Sequence, residues 1–321
     1  QMNSKIILND SYETQVDWRK RNELLPEEFQ ITKTLAPVEY FINWRNNKIH
    51  IDHYHIAKPK AKIIMLHGVG GNGRLLSFAA IPLVKLGYEI IAPDLPGYGL
   101  SVVDKKSVTY HDWIELAGYL IDQVKANDSL PLFIFGLSAG GMLAYQAAAL
   151  NPKVNGVIAT NLLDQRMVKV RDYSSGNLVV SRMGVPLLGL LSKLNIGLML
   201  PMKAVANMKA IVNNKEMCSL LLKDKTASGT KVPVRFISTL LNVSPAVEPE
   251  EFMLPLLLVH PEFDEWTPVK VSQLFFNRLQ CKKELKILEG AGHFPIEKPG
   301  IQQLPIYVNQ FIENHKTTLY Y

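Results

Sequence analysis

Four short, uninterrupted apolar runs constrain this chain more than any other feature. They are KIIMLHG from Lys62, YEIIAPDLPG from Tyr88, LPLFIFG from Leu130 and VNGVIATN from Val154. Between them lie segments of helical character at 74–86, 112–125 and 140–150. A strand that is apolar on both sides has to be covered on both faces, and strands that alternate with helices run parallel. The predicted fold class is therefore α/β, with a mostly parallel central sheet and helices on both faces. The second helix carries Trp113, Leu116, Ala117, Leu120, Ile121 and Val124 on one side. Asp112 is expected as its cap, with Glu115 three residues on completing a capping box.

The pattern pauses near Asn161 and resumes with MLPLLLVH from Met253, a helix over 269–279, the strand KELKILEG and a last helix over about 302–314. Earlier, PVEYFINW and NKIHIDHYHI alternate with the strand period across Arg45-Asn46-Asn47, which predicts a β-hairpin. The expected organisation is an N-terminal extension (1–36) with one short helix around 12–25, a core (37–161 and 246–321) and a helical insertion (162–245) that caps the sheet. Neither an internal repeat nor a low-complexity tract is visible.

A length of 321 residues with 47% hydrophobic content suffices for one large core. The net charge of +6 is scattered, with only Trp18–Arg21 dense, so no basic stripe with interleaved aromatics marks a nucleic-acid partner. Cys218 and Cys281 are too few for a disulfide framework and read as free thiols of a reducing compartment. The first residues, QMNSKIILND, lack the apolar run of a signal peptide, and the expected location is the cytoplasm, with a removed leader left open. The greasiest stretch, Met183 to Met202, has Lys193 and Asn195 in its middle and is bracketed by Pro186 and Pro201. It reads as an apolar helix and not as a membrane span.

The third apolar run ends in a further signal. Gly136-Leu137-Ser138-Ala139-Gly140 follows a strand and opens a helix of small residues. A serine on so tight a turn has a strained backbone, and side chains two residues before and after it would collide, hence the glycines. The turn exposes the hydroxyl at the carboxyl end of the sheet, beside the N–H groups of a helix start. A serine hydroxyl is a poor nucleophile at neutral pH. It needs a base, and the base needs an orienting acid. For this motif the chain order is serine, acid, histidine. His293 in GAGHFPIEKP follows the last strand, and Asp264 in LLLVHPEFDEWTP lies just past the previous one. Glu262 and Glu265 flank Asp264 and stay open as alternatives by spacing alone. Two N–H donors are needed for an oxyanion: Ala139, directly after the serine, and Val69 in the loop HGVGGNG. That loop fits neither G-x-x-x-x-G-K-[ST] nor G-x-G-x-x-G, so no nucleotide cofactor is expected. Asp52, His53 and His55 suggest a metal at first sight. Alternation turns Asp52 away from the two histidines, and two ligands are too few, so no metal is expected either.

LHGVGG, DLPGYGLS, GLSAGG and GAGHFPIEKP together resemble the α/β-hydrolase superfamily, specifically its serine-hydrolase branch with a helical cap, over about residues 38–315. One departure is Pro261, which stands where the acid loop of that superfamily usually has glycine. The insertion resembles those of monoacylglycerol lipases and lysophospholipases, on its composition and the run LLLKDKTASGTKVPVRF. The resemblance implies a cofactor-free ester hydrolase acting through an acyl-enzyme on Ser138, with a small-molecule acyl ester as its partner. In the insertion Leu187, Leu190, Leu191, Leu194 and Leu198 recur at helical spacing, and Leu188, Ile196 and Leu200 make the other side apolar. Such a helix is buried or meets lipid. The expectation is a wall for a medium or long acyl chain, or peripheral membrane contact helped by Lys193 and Lys203. The alternatives are a thioesterase, an N-acyl lactonase, a carbon–carbon hydrolase, a cofactor-free peroxidase and a non-catalytic small-molecule binding protein.

Overall fold

The computed structural model describes residues 11–178, 180–194 and 197–317. In chain order the described elements begin with helix α1 (Val16–Glu23) and strands β1 (Val38–Trp44), β2 (Asn47–Tyr54) and β3 (Ala61–Leu66). Then come α2 (Ser77–Lys85), β4 (Tyr88–Pro93), α3 (Tyr110–Asn127), β5 (Leu132–Gly136), α4 (Ala139–Leu150) and β6 (Gly156–Ala159). The inserted segment holds α5 (Val168–Ser175), α6 (Val185–Lys193), β7 (Met199–Pro201), α7 (Met202–Val205), α8 (Lys215–Lys223), β8 (Lys231–Pro233) and α9 (Val234–Asn242). The chain returns to the sheet with β9 (Leu256–Pro261), α10 (Val269–Phe276), β10 (Lys283–Leu288) and α11 (Gly300–His315).

Among the described residues one sheet has eight strands in the order β1-β2-β4-β3-β5-β6-β9-β10. β2 pairs antiparallel with both neighbours, and every other pairing is parallel. The hairpin turns at Arg45 and Asn46, which take φ of 49° and 61°. β3, β4, β5, β6 and β9 are buried along their whole length. Their continuous apolar runs follow from cover on both faces. On one face α3, α4 and α10 close a core around Trp113, Tyr145 and Phe275. On the other, α2, α11 and the N-terminal segment pack around Phe78, Phe133 and Phe311. Truncating one such aromatic to alanine costs about 3–5 kcal/mol.

Three expectations need correction. Helix α3 starts two residues before Asp112, and its cap is Thr109. The Thr109 hydroxyl accepts from the Asp112 N–H at 3.3 Å, and the Asp112 carboxylate accepts from the Thr109 N–H at 2.8 Å. Asp112 therefore fills the third position of the box, and Glu115 instead pairs with Arg45. The N-terminal helix is interrupted: a 3-10 turn at Tyr12–Thr14 and α1 are separated by Gln15, which is extended at φ −97° and ψ 129°. This segment is packed onto the sheet, with Tyr12, Trp18, Leu25 and Phe29 buried. The Arg74 guanidinium sits between Tyr12 and Trp18, 4.7 and 4.6 Å from their ring centres. Arg21 forms a buried ion pair with Asp224 of the inserted segment.

The greasy stretch is the third correction. α6 ends at Lys193, Gly197 takes φ +63°, and Met199–Pro201 forms β7 against β8. The heptad-like leucines continue past the helix that carries them: Gly197 is left-handed, and Leu200 already belongs to β7. Leu198 lies outside the helix, and Asn195 and Ile196 lie outside the described residues. Among the described residues no helix is long and apolar enough to cross a membrane.

Candidate active site

The site is assembled at the carboxyl ends of β5, β6, β9 and β10. β5 ends at Gly136, α4 begins at Ala139, and Ser138 between them takes φ +55° and ψ −124°. That conformation is costly for a residue with a side chain, and the packing around it imposes it. A Cβ on Gly136 would lie 1.9 Å from the Gly140 carbonyl oxygen, and one on Gly140 would lie 2.2 Å from that of Leu66. Both glycines are thus demanded by backbone contact. The Ser138 N–H donates to Thr160 Oγ1 at 2.8 Å, which anchors the turn to the end of β6.

Ser138 Oγ lies 2.6 Å from His293 Nε2, and His293 Nδ1 lies 2.8 Å from Asp264 Oδ2. The arrangement assigns the histidine proton to Nδ1, donated to the carboxylate, and leaves Nε2 to accept from the hydroxyl. His293 is buried, and the Trp266 ring stacks beside it at a tilt, 4.7 Å between centres. Asp264 is 3% exposed, whereas Glu262 and Glu265 face solvent.

Asp264 is held on every side. Its Oδ1 accepts from the Trp266 and Thr267 N–H groups at 3.1 and 2.8 Å. Its Oδ2 accepts from Asn161 Nδ2 at 3.1 Å and from the Thr267 hydroxyl at 3.2 Å, besides His293. Burial pushes the carboxyl up; the charge and hydrogen bond of His293, the Thr267 N–H and nearby His260 outweigh this and bring it down to about 2. It is a carboxylate at any physiological pH and can compensate an imidazolium. Pro261 ends β9 without disturbing this loop; its carbonyl accepts from His260 Nδ1 at 2.9 Å.

Val69 and Ala139 both face the cavity at Ser138. Among the described residues neither N–H group donates to a partner. Two free donors beside the hydroxyl are what a tetrahedral oxyanion requires. Their loop is braced from beneath: His67 Nε2 accepts from the Leu95 N–H at 2.9 Å, and His67 Nδ1 donates to the Gly68 carbonyl at 2.7 Å. Burial lowers the His67 imidazole to about 4, which keeps it neutral in this role. The loop is also tied from above by the inserted segment. Asn72 Nδ2 donates to the Thr226 carbonyl and to its hydroxyl, both at 3.1 Å, and the Ser228 hydroxyl donates to the Gly70 carbonyl at 2.8 Å.

Sequence reading missed Thr160, Asn161 and His67. Asn161 bridges Asp264, Thr267 and His260, and its carbonyl oxygen accepts from the Thr160 hydroxyl at 3.1 Å. Thr160 and Asn161 thereby connect the turn under Ser138 to the acid. The one available signal was their place at the end of a buried strand, in VNGVIATN.

Above the serine opens a cavity of about 330 Å³. α6 contributes Leu188 and Leu191 to its wall, and α9 contributes Ile237, Leu240 and Leu241. Among the described residues no carboxylate lines it.

Away from this site, His53 and His55 stack with their ring centres 3.6 Å apart, and β4 adds Glu89, 3.6 and 3.8 Å from them. Lys62 lies 3.2 Å from the same carboxylate, so its charge is matched by an ammonium. Asp52 points elsewhere, to a two-pronged ion pair with Arg74 at 2.6 and 3.0 Å.

Fold and site together are of the α/β-hydrolase type. Residues 57–297 match the family described as serine aminopeptidase, S33 (Hydrolase_4), and the chain belongs to that family. It is 27% identical over 262 residues to an uncharacterized abhydrolase domain-containing protein of Dictyostelium discoideum, a match that covers 80% of this chain and 27% of that one. The chain thus spans only about a quarter of that relative's length. It is 27% identical to human monoglyceride lipase over 242 residues, 73% of this chain and 76% of that protein. Its fold is similar to a soluble variant of monoglyceride lipase from Saccharomyces cerevisiae solved with a substrate analog, at a TM-score of 0.72 and 20% identity. That likeness covers 92% of this chain and 99% of the other.

Proposed function

We propose that the protein hydrolyses carboxylic esters with a medium or long acyl chain, through an acyl-enzyme on Ser138. The observation that carries this reading is the run of short contacts from Ser138 Oγ to His293 to Asp264, lying on the floor of a predominantly apolar cavity. In this reading His293 takes the hydroxyl proton as Ser138 attacks the acyl carbon. Asp264 holds the imidazole in its tautomer and balances the imidazolium. The N–H groups of Val69 and Ala139 receive the oxyanion. His293 then protonates the departing alcohol and activates the water that frees the acid. None of these steps calls for a metal or organic cofactor.

The cavity supports an acyl chain as the buried part of the substrate. At about 25 cal/mol per Å² of apolar surface, each added methylene contributes about 0.8 kcal/mol while the wall lasts. The outer side of the inserted segment supports a second element of the proposal, peripheral contact with a membrane from the cytoplasmic side. Met183, Leu190 and Leu194, none of which lines the cavity, are all more than half exposed, beside Lys193. Both cysteines are free, as a reducing compartment would leave them. The human and yeast monoglyceride lipases give the same direction by likeness, toward acylglycerol-like esters.

The test is a series of p-nitrophenyl esters from acetate to palmitate, combined with fluorophosphonate labelling. The expected result is labelling at Ser138 and a kcat/KM that climbs with chain length to a maximum between octanoate and palmitate. A rate highest for acetate and falling steadily would refute the acyl wall, and absence of labelling would refute the nucleophile.

A further inference from the structure

The cavity over Ser138 is apolar except along one side, where Gln165, Arg171, Ser174, Ser175 and Ser181 face it. That side carries unmet hydrogen-bonding capacity. Ser181 is 3% exposed, and its hydroxyl has no hydrogen-bond partner among the described residues. It lies beside Asp172, yet not in hydrogen-bond geometry with it. Gln165 Nε2 donates to Ser174 Oγ at 3.1 Å, which leaves Gln165 Oε1 buried and unpartnered. Among the described residues Arg171 Nε is buried and unpartnered as well.

Most of the charge nearby is paired. Asp172 Oδ2 pairs with Arg182 at 3.1 Å and Asp164 with Arg166 at 2.9 Å, while Asp172 Oδ1 is left buried without a hydrogen-bond partner among the described residues. Arg171 forms no ion pair within 4 Å among the described residues; the carboxylate nearest in effect is Asp172, whose pKa is lowered first by its bond to Arg182 and further by the Arg171 charge. A guanidinium half out of water with an unfilled N–H keeps hydrogen-bonding capacity for an anionic ligand. The far side of this wall is open: Arg171 and Ser181, with Val168, Val185 and Pro186, also border a shallow groove on the outside. A ligand head bound here would reach water while its chain stays inside.

We propose that Arg171, with Ser181 and Gln165, forms a subsite for an anionic head on the alcohol side of the ester, a phosphate or a carboxylate. Arg171 and the Ser181 hydroxyl donate to the anionic oxygens, and Gln165 Oε1 accepts from a hydroxyl on the same head. Arginine suits this task because its donors are fixed in a plane that matches two oxygens at once. The proposal rests on the reading of Ser138 as an ester-hydrolase nucleophile and names the substrate class of that site.

The experiment has a binding arm and a turnover arm. In the first, wild-type protein is titrated calorimetrically with two non-hydrolysable ethers, 1-dodecylglycerol and 1-dodecylglycerol 3-phosphate. The phosphate ether is expected to bind at least tenfold tighter. Arg171→Gln should erase most of that ratio, Arg171→Lys should keep part of it, and Gln165→Leu should reduce it about threefold. Thermal melts of each variant check that it is folded. In the second arm kcat/KM is compared for dodecanoyl esters of glycerol, glycerol 3-phosphate and glycerate. Preference for the phosphate ester assigns a phosphate head, and preference for the glycerate ester assigns a carboxylate head. Equal binding of the two ethers to wild-type protein, or an undiminished ratio in folded Arg171→Gln, overturns the subsite. If no ester is turned over while the ethers still differ and Arg171→Gln removes the difference, the ester-hydrolase reading fails and the anion subsite stands.

Discussion

The floor and the roof of the cavity are built on opposite principles. In the floor, polar groups are buried and answered: Asp264 alone accepts from His293, Asn161, Thr267 and Trp266. The backbone there allows no alternative, with glycine forced at Gly136 and Gly140. The roof, from Gln165 to α9, is mostly apolar toward the cavity and largely exposed on its outer side, and among the described residues it leaves Gln165 Oε1, Arg171 Nε and the Ser181 hydroxyl without hydrogen-bond partners. A buried polar network tolerates one geometry, whereas an apolar wall tolerates many of equal volume. In the proposed reading the floor sets the reaction and the roof the choice of substrate.

The sharpest way to break this division is Ser138→Ala. It should lower ester turnover by about 10⁴-fold or more and abolish fluorophosphonate labelling, with chain binding retained. Loss of less than tenfold would move the chemistry elsewhere. Next, Asn161→Ala releases Asp264 Oδ2 from one donor without touching Ser138 or His293. Misplacement of a catalytic pair by even a fraction of an ångström predicts a 10- to 100-fold slower labelling rate, with KM for short esters little altered. A roof substitution should behave differently. Leu191→Trp fills the cavity, and the ratio of dodecanoate to butyrate hydrolysis should fall about tenfold, by about 1.4 kcal/mol of discrimination, with the labelling rate for a small probe maintained.

How far these roles can be read from the chain depends on the range over which each is encoded. The turn at Ser138 is legible because its demands, a strand, two glycines and a helix start, fall within five positions. His293 and Asp264 follow from chain order at strand ends. Asn161 is not legible, since its purpose lies in a side chain 103 positions away. Thr109 and Asp112 show the limit at short range: both can cap, and only the packing of Tyr110 and Trp113 into the core decides where α3 begins. The leucine spacing across 187–198 suggests one long helix, yet α6 ends at Lys193, Gly197 turns left-handed, and Met199–Pro201 pairs as β7.

Two smaller effects separate floor from roof further. His50 lies 2.8 Å from Glu39 Oε1 and 3.1 Å from Asp94 Oδ2. Burial lowers its pKa, but Asp94, Glu39 and Asp52 outweigh that and raise it to about 10. A group raised in the folded state contributes stability that is fully present below its unfolded value of about 6.5 and lost as pH rises through the folded value. The melting temperature should therefore decline between about pH 6.5 and 10, less so in His50→Gln. An identical alkaline slope in both proteins would remove His50 as the cause. Least affected should be the outside of the roof. Met183→Ser with Leu190→Ser, neither of which lines the cavity, is expected to weaken sedimentation with anionic vesicles a few-fold while hydrolysis of a dispersed short ester is unchanged.

The ties from Asn72 to Thr226 and from Ser228 to Gly70 bear on how such enzymes can be recombined. Grafting a relative's lid onto this scaffold would keep the loop around Val69 in place only if the transplanted piece brings equivalents of residues 224–228. A chimera whose junctions cut that short stretch away would inherit a new specificity pocket over a slackened loop at Val69. Splice points for such hybrids belong outside it, toward β6 and β9.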